Sequence, residues 1–205
     1  ENVRLGVKKM SETRIDPTAM GLLFIGFITL VIGLFAFDKY NALNGSTADP
    51  MIATGVFAVA LLGGLAVALI AIFAYKANSN FGASLFGWIA VSLLLVAAYG
   101  GAFAGLFNLD LSDSWFLWIV IAIFYLVFTV WAFLAGTPKL LLGILVITAL
   151  VFLFLGLALN PEMVDYKKTM FLIMGIFGIL DFLLATYLGL ALTEECAKCG
   201  KFKVF

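Results

Sequence analysis

Histidine is absent from this 205-residue chain, and cysteine, proline and charged residues are scarce. Without histidine there is no imidazole metal site, no Ser-His pair and no H-E-x-x-H helix, which removes the common hydrolytic solutions inside membranes. The two cysteines lie three apart, in Cys196-Ala197-Lys198-Cys199-Gly200, and match half of a zinc knuckle. A closed tetrahedral zinc site needs four ligands, so one protomer cannot complete it. Ligands shared between subunits are one reading; two reduced cytoplasmic thiols are the reading adopted. An aspartyl dyad needs two acids close together in the membrane, and Asp181 alone interrupts the long apolar runs. Neither catalysis nor a cofactor or metal is expected.

Apolar surface is plentiful: 64% of residues are hydrophobic and the mean hydropathy is +1.17. That leaves too little polar surface to cover a water-soluble globule of this size. A hydrocarbon slab of about 30 Å takes roughly 20 apolar helical residues, and that length recurs six times. The spans are predicted near Pro17–Phe37, Pro50–Ala74, Phe81–Phe107, Ser114–Ala135, Pro138–Leu159 and Thr169–Leu192. The runs are continuously apolar and do not alternate, which excludes lipid-facing barrel strands. The expected fold is all-α, a polytopic membrane protein built as a compact six-transmembrane-helix bundle. Residues 1–16 form a leading segment, 17–192 the transmembrane domain and 193–205 a tail. Asp16-Pro17 and Thr137-Pro138 each offer a capping side chain followed by proline at the first helical position. Asn44-Gly45-Ser46, Asn78-Ser79-Asn80 and Asn160-Pro161 read as turns.

The leader Glu1–Asp16 lacks an apolar core of its own, so the first span is expected to act as the insertion signal. Arg4, Lys8, Lys9, Arg14, Lys76, Lys139, Lys198, Lys201 and Lys203 fall on one side of the predicted bundle, and Lys39, Lys167 and Lys168 on the other. The positive-inside rule then puts both termini in the cytoplasm. The net charge of +0 gives no reason to expect nucleic acid, and the partner is a lipid bilayer, with a multi-pass plasma-membrane location.

Asp181 sits near the middle of the sixth span, where an ionised carboxylate is expensive unless paired, hydrated or protonated. No lysine or arginine lies within a span to pair with it. Two readings stand: a proton-coupling acid, or a neutral acid hydrogen-bonded to a neighbouring helix as polar glue. Gly175, Gly178, Ala185 and Gly189 share its stripe and allow close helix approach. Gly55, Gly63, Gly64, Gly100, Gly101 and Gly105 would do the same in the second and third spans. Some of the 21 phenylalanines could plug a pore.

Three segments carry a resemblance. Asp16-Pro17-Thr18-Ala19-Met20-Gly21-Leu22 resembles the N-P-A-P-x-G-L signature of the acetate uptake transporter family, the bacterial acetate/succinate permeases and their fungal ammonia/acetate relatives. Pro17, Gly21 and Leu22 agree, while Asp16 and Ala19 replace asparagine and the second proline. Tyr75-Lys76-Ala77-Asn78-Ser79-Asn80-Phe81-Gly82 with Phe86 resembles the family's Y-K-x-G-N-T-F-G-x-x-x-F, and Gly136-Thr137-Pro138-Lys139 its G-T-x-K turn. Tyr187 falls where a sixth-span tyrosine is usual.

The resemblance implies a six-helix protomer, a homohexamer and a path for acetate or similar small monocarboxylates. It also implies an apolar constriction, here at Ile25 and Ile89 with a fifth-span partner near Ala149, and a mouth at Asp16, Pro17, Gly21, Leu22, Tyr75, Asn80, Phe81 and Gly82. Asp181 aligns with an uncharged family position. Thr29, Ser84 and Thr148 are candidate pore hydroxyls unless each bonds its own helix backbone. Helix starts at Asp16, Asn80 and Thr137 would attract a carboxylate. The expected function is an acetate channel or proton-coupled transporter. The alternatives are a channel for a neutral solute such as urea or ammonia and a non-transporting membrane scaffold.

Overall fold

The computed structural model describes residues 17–99 and 114–197, with backbone alone at 53 and 194–197. Asp16 and the other leader residues, Gly100, Gly101 and Gly105 with the rest of the third predicted span, the Cys196 side chain, Cys199 and the end of the tail lie outside this description. Six helices are long and apolar enough to cross a membrane: α1 Pro17–Ala42, α2 Pro50–Lys76, α3 Asn80–Ala97, α4 Trp115–Leu134, α5 Lys139–Leu159 and α6 Lys167–Ala197. A short 3-10 helix, Pro161–Tyr166, joins α5 to α6. Among the described residues no strand occurs, and the chain is a multi-pass helical membrane protein.

The helices are long because their runs are almost wholly apolar, and α1, α2 and α4 stop where left-handed residues turn the chain. Asn78, Gly45 and Gly136 have φ of +59°, +92° and +68°. After each, the chain bonds back to the helix it has left: Ser79 N–H to Ala74 O at 2.9 Å, Ser46 N–H to Asn41 O at 3.2 Å, and Thr137 N–H to Ala132 O at 3.1 Å. These bonds satisfy carbonyls that a helix end leaves without partners. Two starts are capped by side chains. Asp49 Oδ1 accepts from Met51 N–H at 2.8 Å ahead of Pro50, and Ser79 Oγ accepts from Gly82 N–H at 3.3 Å. Asn160 likewise receives Glu162 N–H at 2.9 Å.

Thr137 departs from expectation. Its hydroxyl donates to Ala132 O at 3.0 Å, closing the end of α4, and Pro138 is the residue that caps α5. The left-handed Gly136 aims Thr137 backwards, so the threonine serves the helix it leaves.

α1 and α6 run together most closely. A Cβ on Gly178 would lie 2.8 Å from Gly33 Cα, and one on Gly26 would lie 2.7 Å from Thr186 Oγ1. The expected small-residue stripe is therefore a helix contact, the usual solution where lipid supplies no hydrophobic drive between helices. Gly63 and Gly64 of α2 meet Ile28 of α1 and Leu94 of α3, but Gly55 has nothing within 4 Å and makes no such contact. α5 packs between α4 and α6. α3 and α4 barely approach by backbone, and aromatic side chains bridge them. Phe81 meets Trp131 edge-on with ring centres 5.3 Å apart, and Trp88 lies 4.5 Å from Phe124. The result is a ring of helices in the order α3-α2-α1-α6-α5-α4 around an interior that backbone contact alone does not fill.

Candidate functional site

That interior holds a cavity of about 220 Å³. Its outer end is formed by the start of α1 at Thr18, the starts of α3 and α5 at Ser79, Phe81, Thr137 and Pro138, and the end of α6 at Leu188 and Leu192. Its walls are apolar: Leu22, Ile25 and Ile28 from α1, Leu85, Phe86 and Ile89 from α3, and Leu141, Ile144 and Leu145 from α5. Deeper in, three hydroxyl side chains face it, Thr29, Tyr125 and Thr148, from three different helices.

The inner end is closed by Ile32, Val151 and Phe152. The same three residues border a second void of only about 20 Å³ beyond them, whose other walls include Phe35, Val56, Phe57, Trp118 and Met174. A space of that size admits about one water, and apolar walls offer it no partner. Phe152 is held between two rings, parallel to Tyr125 at 5.4 Å and 10° and to Trp118 at 6.1 Å and 12°. Trp118 is itself fixed by Nε1–H donating to Ser114 Oγ at 2.7 Å. Among the described residues the cavity ends there, at an aromatic stack.

Asp181 is fully buried one residue behind the wall. Its Oδ2 lies 3.0 Å from Thr148 Oγ1, and that hydroxyl also lies 2.9 Å from Ile144 O. Among the described residues Oδ1 has no hydrogen-bond partner, and every described lysine sits at a helix end, away from this depth. Tyr125 on α4 and Ser92 on α3 are buried at the same level, and the Ser92 hydroxyl donates to Trp88 O at 2.9 Å. The acid, two threonines, a tyrosine and a serine therefore form a polar belt contributed by five helices.

The candidates separate clearly. Leu22, Ile25, Thr29, Phe81, Gly82, Ile89 and Thr148 all line the cavity. Ile25 and Ile89 stand on its wall, and its inner end is closed deeper at Ile32, Val151 and Phe152, two helical turns beyond Ile25 on α1. Ala149 is buried but turned away from the cavity, its neighbours Leu145 and Thr148 taking the inner face. Ser84 is exposed on the outside of α3, because the inner face there runs through Leu85, Ile89 and Leu93. Tyr187 is half-buried and does not line the cavity. Tyr75 and Asn80 are exposed at the turn before α3. Gly21 is buried where a side chain would collide with the Phe86 ring, so it shapes the wall without touching the space. Pro17 borders a separate outer groove between α1 and α2.

Tyr125, Ile32 and Phe152 were not anticipated. A tyrosine within the otherwise apolar fourth span was the one signal that could have marked Tyr125.

Fold and cavity together define a helical membrane bundle with a central, mostly apolar pocket. No family profile matches the chain and none of the curated proteins matches it. Among solved structures it is similar to the bacterial acetate channel SatP, with a TM-score of 0.73 and 17% sequence identity, over 93% of this chain and 99% of that one. At that identity the likeness establishes a shared fold.

Proposed function

We propose that this protein is a member of the acetate uptake transporter family that conducts acetate or a similar small monocarboxylate across the plasma membrane. One observation carries the reading: a fold shared with an acetate channel over nearly the whole of both chains encloses a cavity whose walls are apolar with a few hydroxyls. Such a lining suits a solute with one methyl and one polar end. The family signatures at Pro17-Gly21-Leu22 and Phe81-Gly82 support it, since Leu22, Phe81 and Gly82 border that cavity. The mouth is the end at Thr18, Ser79 and Thr137, where the starts of α3 and α5 favour an anion. Both termini are cytoplasmic, the mouth faces the cytoplasm, and the protein works as a homohexamer. Residues 1–16 and 193–205 flank the 17–192 transport domain.

Proton coupling runs through Asp181. A buried acid joined to the cavity wall by a single hydroxyl can exchange a proton with the cavity, and an acid inside a span marks a functional site by default. The test is uptake of labelled acetate into proteoliposomes with and without an inward proton gradient, corrected with empty liposomes for acetic acid crossing the lipid. Protein-dependent uptake that rises with the gradient supports coupling. Uptake that only equilibrates supports a channel, and no uptake above the control overturns acetate conduction.

The neutral-solute reading has one observation in its favour. No cationic side chain reaches the described cavity, so nothing there compensates a negative charge.

A further inference from the structure

The hydrogen-bond direction of the cavity wall changes with depth, and the change discriminates between forms of a solute. At the mouth, protons are on offer. Ser79 Oγ accepts from Gly82 N–H, which leaves its own proton for a solute, and the first N–H groups of α3 have no intrahelical partner. At the level of the belt, the protons are spent. Thr29 donates to Gly26 O at 3.0 Å, and Thr148 has both Ile144 O and Asp181 Oδ2 within 3.0 Å for its single proton. Each threonine would have to break a bond to donate into the cavity. What they present without cost is oxygen lone pairs, backed at Thr148 by the Asp181 carboxyl.

We infer that the belt of Thr29, Tyr125 and Thr148 admits the neutral, proton-donating form of a small solute, an undissociated carboxylic acid or its amide isostere, and turns away the carboxylate anion. The inference rests on the proposed conduction of acetate-class solutes and adds the species that passes. A carboxylate has four lone pairs and no proton. In this belt it would meet only other acceptors, in a low-dielectric wall without a cation, where an unpaired polar group is at its most costly. An undissociated acid donates its one proton to a belt oxygen and satisfies both sides. A carboxylate that enters the cavity gains its proton there, from water or from Asp181 through the Thr148 hydroxyl; the O–H bond broken at Asp181 is re-formed from water on the same side, and the acid gives the proton up to water on leaving. An amide offers two protons on the same frame and should pass as well.

The test uses wild-type protein in liposomes and three readings on the same preparation. Labelled acetate uptake above empty liposomes shows conduction. Current driven by an acetate gradient reports the anion and is blind to acetic acid crossing the lipid, which carries no charge. Swelling in an acetamide gradient reports the neutral isostere. The expected result is acetate uptake without current, and acetamide permeation about tenfold above empty liposomes, the ratio set by one buried hydrogen bond made or left unmade. A current that reverses with the acetate gradient overturns the inference, as does acetamide permeation equal to that of empty liposomes. Acetamide permeation with no acetate uptake would instead sink the carboxylic-acid reading and leave the acceptor belt standing.

Discussion

Thr148 on α5 and Asp181 on α6 meet at 3.0 Å, a side-chain hydrogen bond that ties a cavity-lining residue to a buried acid across two helices. The threonine belongs to both worlds: its methyl and oxygen border the cavity, while its hydroxyl joins the acid to the Ile144 carbonyl. Any influence of Asp181 on a solute passes through it.

Thr148→Val keeps the shape of the side chain and removes the hydroxyl that Asp181 bonds among the described residues. Interhelical hydrogen bonds in membranes average about 0.6 kcal/mol, and orphaning a buried polar group raises the loss to about 1–2 kcal/mol. Thermal unfolding in detergent should show that drop, together with slower acetate uptake. Wild-type uptake in the variant would remove Thr148 from the path.

Asp181→Asn should assemble normally, because the amide is isosteric and can still bond Thr148. It introduces an N–H donor behind the belt, so uptake should lose much of its dependence on the proton gradient. Gradient dependence equal to wild type would dismiss Asp181 from coupling and leave it as polar glue between α5 and α6.

Phe152→Leu removes the ring that Trp118 and Tyr125 sandwich. Each aromatic pair is worth about 0.5–1.5 kcal/mol beyond its buried area, so the variant should melt earlier. It should also join the two voids, conduct acetate faster and admit butyrate more readily than the wild type does. The ratio of butyrate to acetate uptake is the readout, and an unchanged ratio would place the barrier elsewhere.

Gly178→Ala puts a methyl 2.8 Å from Gly33 Cα, against backbone that cannot rotate away. Overpacking of this kind costs about 1–3 kcal/mol. Gly143→Ala is the matched control, since nothing lies within 4 Å of that position. Melting in detergent should separate the two variants, and equal stability would mean that α1 and α6 can part without loss.

Much of the architecture could be read from the residues, and the reasons for the exceptions are physical. Six spans were legible because lipid demands length and apolarity, and Asp181 stood out because nothing else charged lies in a span. Its partner was not legible. That α5 lies beside α6 at Thr148 depends on helix packing, which continuously apolar helices do not encode as a polar stripe. The same lack of amphipathicity misplaced Ser84: the spacing of Leu85, Ile89 and Leu93 marks the inner face of α3 only once the neighbours are known. Ile25 and Ile89 reached the cavity wall, but the closure of its inner end at Phe152 was not legible, since that ring is indistinguishable in the sequence from the other phenylalanines. Thr137 was legible as a cap, but the left-handed Gly136 decided which helix it closes.

If the cavity between α1, α3 and α5 is the route of an acetate-class solute, filling it stops uptake. Ile89 lines the cavity wall, so Ile89→Trp places a large ring in that space. Labelled acetate uptake into proteoliposomes should exceed that of empty liposomes for the wild type and fall to the empty-liposome level for Ile89→Trp, with the variant still folded by its melting curve. Full uptake in the folded variant, or none in the wild type, would contradict the account.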